Sequence, residues 1–177
     1  MAEAAAAPEG VIGSGRARWH SARMFRRALL AFAVFSSLAC AQTGPQPKLP
    51  EEPLVIVTRD GTRHPFRVEM AVAPEQQMVG LMFRPSVAPD EGMLFDWGSP
   101  RESAMWMRNT ITPLDMVFIS ADGQIHRIAE RTVPYSLASV ESRGPVRATL
   151  ELAAGTAERL GLRVGDKVEQ RIFGTAR

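Results

Sequence analysis

Trp106-Met107-Arg108-Asn109-Thr110, followed closely by Pro113-Leu114-Asp115, sets a cation, an amide, a hydroxyl and a carboxylate into an otherwise apolar stretch. Such a set could surround one small polar ligand. Trp106 would offer a flat apolar face, Arg108 a charge-assisted donor, Asn109 and Thr110 further hydrogen bonds, and Asp115 an acceptor. Asp115 stands out on energetic grounds. It lies between Leu114 and Met116-Val117-Phe118, and a carboxylate buried without partners is strongly destabilising. Arg108 is the obvious counter-ion.

Three other chemistries use the same stretch. In a purely structural one, Arg108 and Asp115 form an ion pair while Asn109 and Thr110 tie up a turn. In a hydrolase-like one, Asp115 acts as general acid or base and Arg108 stabilises developing negative charge, with a second carboxylate such as Glu130 or Glu151. In the third, Met78, Met82, Met93, Met105, Met107 and Met116 supply thioethers to Cu(I), helped by His64 or His126, as in a periplasmic copper protein. The plain alternative is that all six methionines fill the core. Solvent-facing positions account for both histidines. No spacing of His, Cys, Asp or Glu suggests a zinc or calcium site, so neither metal nor cofactor is expected. The chain from Gln42 onward has no cysteine and no Gly-x-Ser-x-Gly, which removes thiolate chemistry and the serine-hydrolase elbow.

The elements that must position these residues are short and β-rich. Leu54–Thr58 is a β-branched run, Asp60-Gly61 a hairpin turn, and Phe66, Val68, Met70 and Val72 alternate with polar or small residues. Pro74 opens a helix in which Met78, Leu81 and Met82 form one apolar face, ending at Arg84-Pro85. Gly92–Phe95, Ala104–Met107, Leu114–Ile119 and Gln124–Glu130 read as strands, and Pro134–Gly144 as a less ordered stretch. A strand over Val146–Leu152, a short helix capped by Thr156 and closed by Gly161, and a last strand over Lys167–Ile172 complete the pattern. Strand-helix alternation is missing, so the expected fold is mainly β (β-rich α+β): an antiparallel sandwich or partly open barrel with one or two short helices. The domain is expected to span 54–173, behind a proline-rich tether at 42–53.

Charge is unevenly distributed. Residues 1–41 hold five arginines and two glutamates, leaving 16 basic and 17 acidic side chains from Gln42 onward, a net of −1. A body so close to neutral lacks the footprint needed for phosphate backbones, so nucleic acid is not an expected partner. Met24-Phe25-Arg26-Arg27 and the apolar run Ala28–Leu38 have the layout of an export signal, too short to span a bilayer. Ala39-Cys40-Ala41 satisfies the small-x-small cleavage rule. Cleavage before Cys40, with lipidation of that thiol, is the competing outcome. Met24 opens a complete signal by itself and is the expected true start, against a long n-region beginning at Met1. The chain is therefore expected in the periplasm or secreted, touching membrane only through its signal segment or Cys40. Its oligomeric state is open.

Gly80-Leu81-Met82 with Arg84, Gly92-Met93-Leu94-Phe95, Trp106-Met107-Arg108-Asn109-Thr110, Pro113-Leu114-Asp115 and Leu150-Glu151-Leu152-Ala153-Ala154-Gly155 recur in the order and spacing of a known family. Over roughly Leu54–Ile172 the chain resembles the bacterial and archaeal domain of unknown function 192, departing from its pattern at Arg108, where the family usually has Lys. The resemblance implies a small β-rich fold, frequent export and a cluster at Met82, Arg84, Trp106, Arg108, Asn109, Thr110 and Asp115. It implies no reaction. The resulting expectation is an exported domain that binds a small polar, carbohydrate-like or anionic molecule at Arg84, Trp106, Arg108, Asn109, Thr110 and Asp115.

Overall fold

The computed structural model of the protein describes residues 43–175; the segment expected to act as an export signal, with Cys40, lies outside the described residues. Seven strands, β1 (Glu51–Val57), β2 (Arg63–Ala71), β3 (Glu91–Met105), β4 (Leu114–Ile119), β5 (Ile125–Ala129), β6 (Val140–Ala153) and β7 (Lys167–Glu169), form one sheet in the order β5-β4-β6-β3-β2-β1-β7. The sheet curls into a half barrel with two short helices, α1 (Pro74–Val79) and α2 (Thr156–Leu160). Its edges meet at one end, where Ile125 N donates to Asp166 O at 2.8 Å and Val168 N to Gly123 O at 2.7 Å. Of the two expected β architectures, the protein is the partly open barrel.

The antiparallel expectation fails at one pair. β2 and β3 run parallel, because α1 returns the chain across the sheet before β3 begins, the crossover a parallel pair requires. The segments read as separate strands at 92–95 and 104–107 belong largely to β3, bent by register shifts after Asp96 and Glu102. β6 begins at Val140, inside the stretch expected to be irregular. β1 begins at Glu51 and takes in Pro53. The proline is tolerated because β7 reaches only Val55–Val57, leaving the other edge of β1 open there.

Alternation sorts side chains onto two faces. Leu54, Val68, Leu94, Leu150, Val117, Ile125 and Val168, drawn from all seven strands, fill the concave side with Ala157 and Leu162 around α2. Met93, Phe95, Met107, Leu114, Met116 and Phe118 form a second cluster on the convex side, completed by Leu81 after α1. Two neighbouring rows of the sheet carry the polar chemistry. Val68, Gly92, Leu152 and Asp115 are paired across the strands, and in the next row so are Glu69, Met93, Glu151 and Met116.

Candidate functional site

Asp115 is on the concave side. It is fully buried, yet neither oxygen is free: Oδ1 accepts from Arg131 N at 2.8 Å and Oδ2 from Ala157 N at 2.8 Å. The second bond caps α2 from a distant strand. Thr156, expected as the local cap, is instead the first helical residue, and Gly155 at φ 82° precedes it. The ion pair of Arg108 with Asp115 expected in the purely structural reading is therefore not formed. Arg108 is exposed and stacks over Trp106 at 4.2 Å.

Arg84 is likewise committed. It makes a two-pronged ion pair with Glu69 at 2.8 and 2.9 Å, and Glu69 also accepts from Leu49 N at 2.8 Å. Asn109 sits at φ 55°, its carbonyl accepting from Phe83 N at 2.8 Å, so it shapes a turn. Of the six expected ligand-binding residues, Trp106 and Thr110 face a common cleft and Arg108 covers the outer face of Trp106.

That cleft, about 100 Å³, lies between α1 with its following turn and the end of β3. Phe95, Trp97, Met82, Met105 and Trp106 supply apolar walls, Thr110 a hydroxyl, and Glu151 is its one titratable lining residue. Phe95 and Trp97 stack at 5.8 Å, and Trp97 Nε1 is held by Thr149 Oγ1 at 3.2 Å, so this wall is rigid. Trp106 remains 43% exposed. Gly80 lines the cleft at φ 51°, where a Cβ would stand 2.9 Å from Phe95 Cζ; a side chain there would meet the aromatic wall.

Glu151 was legible by the same criterion as Asp115: a carboxylate between Leu150 and Leu152 in an apolar strand. It is only 4% exposed, and among the described residues no hydrogen bond to its carboxyl group is found, burial alone acting on it. Burial pushes its pKa from 4.5 up to about 8. At neutral pH it is a neutral acid, able to donate one hydrogen bond and accept another inside the cleft.

The methionines divide. Met78, Met82 and Met105 line the cleft, whereas Met93, Met107 and Met116 are core. Met78, expected on the apolar face of α1, is exposed because the helix ends at Val79 and only Leu81 and Met82 turn inward. Neither histidine lines the cleft, so the imidazole invoked for copper is not there. His64, expected to face solvent, is half-buried with Nε2 lacking a partner among the described residues, beside a larger cavity of about 390 Å³. The two carboxylates there are already engaged: Asp60 by Thr58 and Thr62, Asp166 by the backbone of Arg59 and Arg163.

The model of domain of unknown function 192, described as "Uncharacterized ACR", matches residues 55–170. A crystal structure of a Sinorhizobium meliloti 1021 protein, provisionally described as a transcription regulator, is 47% identical with a TM-score of 0.70, covering 72% of this chain and 98% of its own. A protein of unknown function from Novosphingobium aromaticivorans DSM 12444 is 39% identical with a TM-score of 0.67, covering 74% and 94% respectively. No curated protein matches the chain.

Proposed function

The chain belongs to the family domain of unknown function 192, which has no established activity, and we propose that it binds a small, uncharged, hydroxyl-rich molecule, such as the end of a sugar, between Trp106 and Glu151. The unpartnered, protonated carboxyl group of Glu151 carries this reading. A neutral acid in an apolar cleft matches an alcohol, which also donates and accepts, and it disfavours an anion less well solvated there than in water. Trp106 and Trp97 offer flat faces to the C–H surface of a sugar ring, and Thr110 adds a hydroxyl. Backbone strain is concentrated nearby: Phe83, Asn109 and Tyr135 all have positive φ and are joined by hydrogen bonds through the 109–110 turn.

Binding is favoured over hydrolysis because acid–base cleavage of a glycoside normally uses two carboxyl groups. Glu151 has no second titratable group beside it in the cleft, and Asp115 lies on the other face of the sheet. Export, expected from the signal-like segment, remains part of the proposal and would place such a binder among extracellular or cell-wall glycans. The regulator description of the S. meliloti relative is not extended to this chain, whose body from Gln42 onward has a net charge of −1.

A thermal-shift screen against monosaccharides, disaccharides, polyols, small carboxylates and Cu(I) tests the proposal. The expected result is stabilisation by uncharged hydroxylated compounds, lost in Glu151→Ala and largely kept in Glu151→Gln. A ligand at a hundredfold excess over its Kd should add about 2.7 kcal/mol. Stabilisation by anions alone, or a sugar effect that persists in Glu151→Ala, would overturn it; a Cu(I) effect abolished in Met82→Leu and Met105→Leu would restore the copper reading.

A further inference from the structure

Large exposed apolar side chains are not scattered over this protein. Among the described residues there are eight, and six of them, Met78, Trp106, Ile111, Val133, Tyr135 and Leu137, border the cleft or the double loop beside it. Val133, Tyr135 and Leu137 are 68%, 61% and 70% exposed. The loop that carries them is nevertheless held firmly. Thr132 N donates to Leu114 O at 2.8 Å, Tyr135 N to Thr110 O at 3.1 Å, and Met107 N to Ser136 O at 3.0 Å. A pinned loop that presents valine, tyrosine and leucine to water is a docking surface rather than a collapsed turn.

We propose that this rim docks on the surface of a lipid bilayer. The position of the chain's leading end favours that occupant. Forty-two residues precede the described part, including the apolar run Ala28–Leu38 and Cys40. The described chain enters at the same rim: Gln46 Nε2 donates to Gly80 O at 2.9 Å and Gln76 O at 3.1 Å, and Gly80 lines the cleft. Five residues lie between Cys40 and Gln46, a reach of at most about 20 Å. A lipid on Cys40 would therefore tether the chain at a point within about 20 Å of this rim. The composition suits the interface. Trp106 and Tyr135 have an apolar body and a polar edge, and Arg108, stacked on Trp106, can reach headgroup phosphates. The proposal rests on the second processing outcome, lipidation at Cys40 in place of cleavage after Ala41, and not on which ligand the cleft takes.

The test uses the full chain carrying Trp19→Phe, so that no leading-segment tryptophan reports, reconstituted into phosphatidylethanolamine–phosphatidylglycerol vesicles containing brominated lipid, with tryptophan fluorescence as the readout. Quenching is expected in the unaltered protein, should largely disappear in Trp106→Phe, and should fall severalfold in Val133→Asp/Leu137→Asp. The latter two positions do not line the cleft, so sugar binding by that double variant should be unchanged. This separates failure of the docking surface from failure of the binding site. Equal quenching in the unaltered protein and Trp106→Phe would overturn the proposal. So would sedimentation showing that the rim joins two copies of the chain, with the double variant monomeric, or vesicle quenching indifferent to the aspartates.

Discussion

Asp115 and Glu151 are both carboxyl groups in apolar strands, placed on adjoining strands in neighbouring rows, and they meet opposite fates. Asp115 faces the concave core, where two backbone N–H groups bond its oxygens and tie the 131 turn and α2 to β4. Glu151 faces the convex side, where among the described residues none bonds its carboxyl group and burial leaves it protonated up to about pH 8. Burial alone does not mark a functional carboxyl group. What separates these two is whether the fold has already used their hydrogen-bonding capacity.

The largest effect should come from Asp115→Ala. It strands two buried N–H donors and is expected to cost about 3–4 kcal/mol, read by chemical denaturation. A loss below about 1 kcal/mol would dissolve the contrast. Glu151→Gln should act in the opposite direction. The folded pKa lies above the ordinary 4.5, so the folded state holds a proton that the unfolded state releases. Stability attributable to this group therefore falls as pH rises from about 4.5 to about 8, a penalty of roughly 3 kcal/mol at pH 7. Removing it should raise Tm by roughly 10 °C at pH 7, and the gap should close near pH 4. A variant that is more stable but binds less well at high-affinity sugars' expense would not be expected, since glutamine keeps a neutral donor and acceptor.

Sugar affinity of the unaltered protein should decline as pH climbs through about 8 and Glu151 ionises, while Glu151→Gln should bind with a flat pH profile; calorimetric titrations at pH 6.5 and 9.5 measure both. The smallest effect should be that of Arg108→Ala. Removing an exposed cation from the face of Trp106 should change stability by less than about 1 kcal/mol. A larger loss would mean that the Trp106 wall depends on its stacking partner.

Much of the β framework was legible, because alternation in β2 and the apolar runs of β4 and β6 reflect burial directly. The parallel β2–β3 pair was not, since it depends on which edge α1 crosses. Pro53 within β1 was hidden for a similar reason: an open edge is a property of the sheet. At the candidate site, Trp106 and Thr110 line one cleft. Arg84 and Asp115, singled out with them, are already engaged, Arg84 by Glu69 and Asp115 by backbone groups. Glu151 carried the same local signal as Asp115, and only cross-strand register shows that the two face opposite ways.

The most direct measurement is a ¹³C NMR titration of the Glu151 carboxyl carbon, assigned by its absence in Glu151→Gln and followed with and without the best-scoring sugar. A midpoint near 8 that rises when the sugar is present would establish the protonated carboxyl group as the binding element. A midpoint near the ordinary 4.5, unmoved by sugar, would contradict it.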